Sequence, residues 1–192
     1  MIDQFFKYTT KFVDFTEADK DLLNSAMTFK QVESKTELVF SDIPSDELFF
    51  IVKGCVRKYY LKEGEQITIT ILTENNFVGA FTSLVTGSKS KETIQCLEPC
   101  EIIILKKRDL DRLYHQIPLM NEFIRKVLEQ TLIQFHQSLS SFILDTPAER
   151  YEKLLFENPE VLQRVPQHML ATYLGITATS LSRIRKRILE KK

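Results

Sequence analysis

The chain has 192 residues, 43% of them hydrophobic and 27% charged, and its formal charges sum to zero at pH 7. This composition is typical of a globular protein with a substantial core, and it excludes a disordered tail. No apolar run is long enough to span a bilayer and the N-terminus lacks the pattern of a signal peptide, so we expect a cytoplasmic protein with no membrane partner.

The first predicted elements are a short helix and a series of strands. Thr16 and Asp19 have the spacing of a helix start. The hydrophobic period then changes, and short runs rich in Val, Ile, Phe and Tyr follow at 37–40, 47–52, 56–61, 66–72, 76–79, 91–96 and 100–105. Such runs predict an antiparallel sandwich or jelly roll over about residues 30–106. Segment 81–90 is the least strand-like part and predicts a short helix or a binding loop.

The cysteines and histidines give no pattern of metal ligands. Cys55, Cys96 and Cys100 lie in strand-like runs without a Cys-x-x-Cys spacing, and the three histidines are scattered. We therefore expect free thiols that are buried or partly exposed, no metal site and no cofactor, with a redox sensor as the alternative. The segment 30–106 contains no histidine, which disfavours a metal-dependent enzyme of the cupin type, and we expect no enzyme.

A long helix is predicted after the sandwich. Residues 119–143 contain neither Gly nor Pro, and their apolar stripe is too wide for a helix that packs on one surface. We therefore predict a dimerisation helix over about 118–144 that packs on the sandwich and on a second copy of the chain. The alternative is a purely intramolecular helix. The predicted dimer interface consists of Met120, Phe123, Ile124, Val127, Thr131 and Phe135.

The segment 145–147 marks a predicted domain boundary. Thr146 and Glu149 form a capping box, and Pro147 occupies the first position of the next helix. The boundary divides the chain into a sensor domain, residues 1–144, and a small helical domain, residues 145–192. We expect any hinge to lie here.

Residues 165–187 have the pattern of a helix-turn-helix. Pro166 suits the first turn of one helix, Gly175 suits the tight turn, and Thr177 suits the N-cap of a second helix that begins at Ala178. In the second helix, Leu181 and Ile184 share one face, and polar residues occupy the other. Such a unit places its second helix in the major groove of DNA, whereas the alternative is an ordinary αα-hairpin.

Charge favours the DNA-binding alternative. Residues 164–192 contain seven basic residues and one acidic residue, a net charge of +6, so the rest of this neutral chain carries about −6. A basic cluster on an exposed helix face is the feature expected for phosphate contacts. The residues predicted to contact DNA are Thr177, Thr179, Ser180, Ser182, Arg183, Lys186 and Arg187.

The order of these parts resembles the Crp/Fnr family of bacterial transcription regulators. The stretch LFFIVKGCVRKYY at 48–60 is similar to the family's strand, Gly turn and strand, and NNFVGAF at 75–81 is similar to the start of its phosphate-binding cassette. The resemblance covers almost the whole chain, including the helix-turn-helix. It implies an α+β protein with a cyclic-nucleotide-binding-like sandwich, a homodimer on a palindromic operator, double-stranded DNA as a partner, and RNA polymerase as a further partner.

The departures from the family pattern concern the effector. Cyclic AMP-binding members carry Gly-Glu in the cassette and Arg-Ser or Arg-Thr about ten residues later. Here Gly79 is followed by Ala80, and the later pair corresponds to Ser90 and Lys91. The comparison implies weak or no binding of cyclic nucleotides. The candidate pocket residues are Phe77, Gly79, Ala80, Phe81, Ser90 and Lys91, for a small-molecule effector of unidentified chemistry or for none.

Within the recognition helix, the resemblance assigns the family's later base-reading Arg to Arg183. The two positions after the cap hold Ala178 and Thr179, where the family commonly has Arg and Glu, so we expect a different operator. The second hypothesis for function is a ligand-sensing sandwich that regulates a protein partner without specific DNA binding.

Overall fold

The structure, a computed structural model, describes residues 2–190. Its centre is a sandwich of two four-stranded antiparallel sheets, with strand orders β1-β8-β3-β6 and β2-β7-β4-β5. The strands are β1 Met27–Val32, β2 Glu37–Val39, β3 Glu47–Lys53, β4 Val56–Lys62, β5 Glu65–Leu72, β6 Phe77–Val78, β7 Thr93–Cys96 and β8 Cys100–Lys106. The predicted sandwich is confirmed. Strand β1 was missed because its polar residues interrupt the apolar alternation.

Helices precede, interrupt and follow the sandwich. They are α1 Ile2–Thr9, α2 Glu17–Ala26, α3 Phe81–Thr86, α4 Lys107–Gln116, α5 Pro118–Leu144, α6 Pro147–Glu157, α7 Pro159–Arg164, α8 Gln167–Tyr173 and α9 Ala178–Leu189. Thr16 forms the predicted cap of α2, with a reciprocal bond to Asp19. Segment 81–90 contains the short helix α3, and α1 was not predicted.

The first sheet separates two cores. Phe49 and Ile102 point toward the second sheet, whereas the alternate residues Phe50 and Ile103 point toward the helices. On the helix side, aromatic rings from α1, β3, β6 and α5 pack mostly edge to face, with Phe5 and Phe50 centroids 5.2 Å apart. This aromatic cluster attaches the N-terminal half of α5 to the sandwich.

The structure corrects the predicted dimer interface. Met120 and Phe123 are completely buried and Val127 is 7% exposed, all three in the chain's own core, and Ile124 packs against the same core. Met120, Phe123 and Val127 therefore cannot also face a second copy, whereas Ile124 is half-buried and lies beside the exposed Leu128. The prediction gave the stripe two packing surfaces, but it placed Met120, Phe123 and Val127 on the wrong one, because these residues pack on the sandwich.

The exposed part of that stripe begins at Leu128 and continues through the second half of α5. Thr131 and Phe135 lie here and are exposed, as two of the six predicted residues. The exposed apolar side chains with alternating spacings of four and three residues are Leu128, Leu132, Phe135, Leu139 and Phe142. We call this set the α5 stripe. Its spacing is that of a coiled-coil seam.

Helices α6 to α9 form a small core of their own against the second sheet. Tyr151, Leu154, Leu170 and Leu181 lie in that core, which also includes Cys55 of the sandwich. Helix α8 lies on β5, where the Thr68 amide donates to the Thr172 hydroxyl at 3.2 Å. The C-terminal helices are therefore packed on the sandwich.

Candidate nucleic-acid interface and effector site

The turn between α8 and α9 has the predicted geometry. Gly175 has a φ of 71°, a left-handed conformation that glycine adopts without the strain of a side chain. The Ile176 amide donates to the Ala171 carbonyl at 2.9 Å, and the Thr177 hydroxyl accepts from the Ser180 amide at 3.2 Å. These contacts end α8 and start α9 as the sequence predicts. Pro166 differs, because it precedes α8 as its N-cap instead of lying in the first turn.

Helix α9 packs on one side and is exposed on the other. Leu181 is 1% exposed and Ile184 is half-buried against the core of the C-terminal helices. The predicted contact residues that are exposed are Thr177, Thr179, Ser182, Arg183, Lys186 and Arg187. At 100° per residue, Thr179, Ser182, Arg183 and Lys186 form the centre of this face. The face presents hydroxyls and cations, which are donors for base edges and phosphates.

Ser180 is the exception among the predicted contacts. It is half-buried, its amide is bound by the Thr177 hydroxyl, and its hydroxyl accepts from that hydroxyl at 3.0 Å. Ser180 thus belongs to the cap of α9. Arg185 was not predicted, yet it lines a groove of about 410 Å³ beside α9 together with Gln167 of α8 and Lys186. The sequence shows that Arg185 is basic, but only the folded structure shows that α8 forms the other wall of this groove.

The structure divides the predicted basic cluster. Arg164 bonds to Glu74 at 2.8 Å and to Glu98 at 2.5 Å, both of them sandwich residues, so its charge is used within the chain. The hydrogen bond to Glu74, and to a lesser extent that to Glu98, raises the already high pKa of Arg164. Lys191 and Lys192, also counted in the cluster, lie outside the described residues. The cations on the exposed side of α9 are Arg183, Lys186 and Arg187.

The interior of the sandwich contains a pair of charged side chains near the predicted effector pocket. The Lys58 ammonium donates to the Gly79 carbonyl at 2.7 Å and lies 3.3 Å from a Glu92 carboxylate oxygen. The two side chains are 17% and 13% exposed, respectively. A buried ammonium needs such an anionic partner, because removal of either charge leaves the other poorly solvated. We call Lys58 and Glu92 the sandwich ion pair.

The six candidate pocket residues do not form one site. Gly79, Ala80 and Ser90 are buried near the sandwich ion pair, and the Ser90 hydroxyl donates to the Glu92 carbonyl at 2.7 Å. Phe77 instead packs in the aromatic cluster, with its ring 5.1 Å from that of Phe50. Phe81 and Lys91 are exposed. Phe77, Phe81 and Lys91 are therefore corrected: Phe77 of β6 packs on the helix side of its sheet, and Phe81 at the start of α3 and Lys91 in the segment before β7 are exposed.

Sequence reasoning missed the sandwich ion pair, although one signal was present. Lys58 follows Val56 by two residues and therefore shares its strand face. Val56 is completely buried between the sheets, so Lys58 must enter the interior. A basic residue two positions from a buried residue in a central strand predicts an internal charge that needs a partner.

The three thiols are buried, Cys55 in the turn before β4, Cys96 at the end of β7 and Cys100 at the start of β8. Burial raises the pKa of Cys55 to about 12, and the neighbouring Cys100 side chain, together with burial, raises the pKa of Cys96. Within residues 2–190, no three His, Cys, Asp or Glu side chains lie close enough together to hold a metal ion. None of the helices in that part of the chain is long and apolar enough to cross a bilayer.

Comparison with known proteins supports this description. Residues 29–116 match the family model of the cyclic nucleotide-binding domain. The transcriptional regulatory protein Btr of Bordetella pertussis is 22% identical over 169 residues, which cover 82% of this chain and 69% of Btr. The global nitrogen regulator of a Nostoc species is 28% identical over 130 residues, 67% of this chain and 40% of the regulator.

A solved structure shares the arrangement of the whole chain. A putative Crp/Fnr-family transcriptional regulator from Eubacterium rectale has a TM-score of 0.71 at 14% identity, with 93% of this chain and 85% of the other covered. At that identity the likeness concerns the fold, whereas the two sequence relatives are proteins named as regulators. With its cyclic nucleotide-binding-type sandwich over residues 29–116, its long helix and its helix-turn-helix, the chain is similar in sequence and fold to Crp/Fnr-like DNA-binding transcriptional regulators.

Proposed function

We propose that two copies of the chain bind a palindromic DNA site, with one α9 in each of two successive major grooves. The observation that carries this proposal is the division of α9 into a packed face, with Leu181, and an exposed face with Thr179, Arg183 and Lys186. A two-fold dimer requires half-sites about 34 Å apart along the duplex. The chain regulates transcription in this proposal and catalyses no reaction.

The α5 stripe supports the homodimer. A helix of 27 residues is about 40 Å long, and the five side chains of the stripe are 45–66% exposed in the single chain. Two such stripes around a two-fold axis bury each other's apolar surface. We place the division between sensor and DNA-binding parts at residues 144 and 145, where α5 ends.

We further propose that no cyclic nucleotide occupies the sandwich. The sandwich ion pair places an ammonium on the Gly79 carbonyl, beside Ala80 and Ser90. A nucleotide phosphate there would have to compete with Glu92 for that ammonium and would meet its negative charge. An effector of other chemistry, or none, is consistent with these contacts. RNA polymerase is the protein partner that a bacterial regulator in the cytoplasm would meet on DNA.

Selection of bound fragments from a random DNA pool tests the proposal. We expect recovered sites with two-fold symmetry, and binding that weakens steeply as salt rises because phosphate contacts release counterions. Recovery of unrelated sequences, with no preference above the non-specific background, would contradict sequence-specific binding. That result would favour the alternative, in which the sandwich regulates a protein partner.

A further inference from the structure

The corner between α5 and α6 lies directly against the turn of the helix-turn-helix. Phe142 is in the last turn of α5, and a Cβ built on Gly175 would lie 3.0 Å from two carbons of its ring. A methyl group would therefore have to displace the ring or the turn. The end of the long helix and the turn before α9 are thus in close contact.

Arg150 of α6 joins three segments at this contact. Its guanidinium lies over the Phe142 ring, 4.6 Å from the centroid. One terminal nitrogen donates to the Asp145 carbonyl at 2.6 Å, and the other donates to the Leu174 carbonyl at 2.8 Å. The guanidinium therefore connects the end of α5, the start of α6 and the turn that precedes α9.

The planar shape of the guanidinium matters here. Its Nε is buried and has no hydrogen-bond partner in the described part of the chain, so the two terminal nitrogens and the ring contact fix its orientation. A lysine ammonium has neither the planar fork nor the face that stacks on an aromatic ring. Lysine can keep the charge at this position but not the three contacts together.

The corner itself is closed by further hydrogen bonds. The Asp145 amide donates to the Ser141 carbonyl at 3.0 Å, and its carboxylate accepts from the Lys153 ammonium at 2.5 Å. The Thr146 hydroxyl accepts from the Glu149 amide at 3.4 Å, which completes a capping box. The corner contains the predicted hinge, yet these bonds hold α5 and α6 together there.

We propose that Arg150 is a positioning residue that fixes the direction of α9 relative to α5 and thereby sets the half-site spacing that the dimer accepts. This inference rests on the proposed homodimer. Helix α9 has 12 residues and is about 18 Å long, so a rotation of about 10° at its start moves its far end by about 3 Å. One base pair also rises about 3.4 Å, so a small loss of alignment changes the accepted spacing.

A purely structural role predicts a different result. If Arg150 only stabilised the fold, its loss would weaken binding to every DNA probe by the same factor. If Arg150 fixes the direction of α9, its loss weakens binding to the palindrome with the preferred half-site spacing and leaves binding to a single half-site unchanged. The ratio between affinities for differently spaced probes separates the two roles, because it does not depend on the folded fraction.

The test uses the full chain and the selected palindrome, with versions whose half-sites are about two base pairs closer or farther apart, and a single half-site. The variants are Arg150→Met, which keeps the apolar stem, and Arg150→Lys, which keeps the charge. Lys153→Ala is the matched control, since Lys153 lies on the same helix and bonds to Asp145 but not to Leu174. Circular dichroism establishes that each variant is folded.

For the natural chain, we expect about tenfold or greater preference for the best spacing. Both Arg150 variants should reduce this preference to less than about threefold and retain half-site binding, whereas Lys153→Ala should retain the preference. An unchanged preference in the Arg150 variants would overturn the inference, and so would an equal loss in Lys153→Ala. If the natural chain itself showed no preferred spacing, the proposed homodimer would fail first.

Discussion

Single side chains of this protein determine which surface of α9 is exposed. The Thr177 hydroxyl binds the Ser180 amide and starts the helix, and Leu181 anchors it in the core with 1% exposure. Arg183 and Lys186 then extend from the opposite side. The same few residues that stabilise the helix therefore define its exposed side, which is why the sequence pattern alone predicted which side is exposed.

The two central cations of α9 should have different effects on DNA binding. We expect Arg183→Ala to cost about 1–3 kcal/mol on the selected site and to relax preference at one base pair, because arginine can bind guanine with two hydrogen bonds. Lys186→Ala should weaken binding to all sequences and reduce the salt slope by about one. Equilibrium titrations of selected and scrambled duplexes at several salt concentrations measure both effects.

The comparison of the two variants provides its own control. If Arg183→Ala and Lys186→Ala lowered affinity equally for selected and scrambled DNA, neither residue would read a base. Arg108→Ala removes a cation that is 79% exposed at the start of α4, and it should leave both affinities unchanged. A loss of DNA affinity in Arg108→Ala would indicate that the net charge of the chain, and not the position of each cation, determines binding.

The sandwich ion pair leads to a prediction for ligand binding. We expect calorimetry to detect no low-micromolar site for cyclic AMP or cyclic GMP, because Lys58 is held by Glu92 and the Gly79 carbonyl. Glu92→Gln removes the competing carboxylate and keeps a similar side-chain volume, so any weak phosphate binding should increase in this variant. A low-micromolar site in the unaltered chain would contradict this account of the pocket.

At the scale of elements, an ionic contact fastens the C-terminal helices to the sandwich. Arg164 at the end of α7 binds Glu74 from the segment after β5 and Glu98 from the turn between β7 and β8. All three side chains are less than one-third exposed. Arg164→Ala would leave two neighbouring carboxylates without their shared cation, and we expect it to destabilise the chain by about 1–3 kcal/mol.

Thermal and urea unfolding at pH 7 measure this effect. Arg125→Ala is a suitable control, because it removes an ion pair with Glu129 in which both side chains are more than half exposed. The control should change stability by less than about 0.5 kcal/mol. Equal effects of the two substitutions would show that the Arg164 contact contributes no more than a surface pair.

The same contact should respond to acid. Burial alone would raise the pKa of Glu74, but hydrogen bonds from Arg164 and from the Gly54 amide hold that pKa below its ordinary value of 4.5. A carboxyl with a lowered pKa in the folded state adds stability above its unfolded pKa and loses it as pH falls through the folded value. The stability difference between the natural chain and Arg164→Ala should therefore be constant near neutral pH and shrink below about pH 4.

The elements also show how far sequence reasoning extends. The capping boxes at Thr16 and Thr146 and the turn at Gly175 are local signals, and the structure has all of them. The faces of α5 depend on distant partners, so the apolar stripe indicated two contacts but not which residues made each. Strand β1 was missed for a similar reason, since its pairing with β8 outweighs its own polar composition.

At the scale of the whole molecule, the sandwich, the long helix and the C-terminal helices form a continuous packed structure. The aromatic cluster joins α5 to one sheet, and the core of the C-terminal helices includes residues of the other sheet. Movement of α9 relative to the sandwich would therefore have to break both the Arg164 contacts and the contact of α8 with β5. An effector can shift such a balance only by binding one arrangement more tightly.

Pairing of two chains is tested by a charge placed on the α5 stripe. Leu132 is 66% exposed in the single chain, and we expect Leu132→Asp to convert a dimer to monomers because two carboxylates would meet in an apolar seam. Gln137→Asp is the matched control, since Gln137 is exposed on the opposite side of the same helix. Sedimentation velocity measures the association state, and palindrome binding should be lost only with Leu132→Asp.

If both variants remained dimeric, the seam would lie elsewhere on the chain. If the natural chain were itself monomeric at micromolar concentration, the homodimer would be contradicted. Val127 is unsuitable for this test, because it is 7% exposed and its replacement by Asp would disrupt the chain's own core.

The Phe142 side chain contributes to two contact surfaces of the chain. One side of its ring belongs to the α5 stripe, and another touches the turn at Gly175. A chain that paired with a related but non-identical regulator would meet a different side chain opposite this ring. In such a mixed dimer, poor packing around Phe142 would change the orientation of α9. We therefore expect mismatched partners to bind DNA weakly even where they associate well.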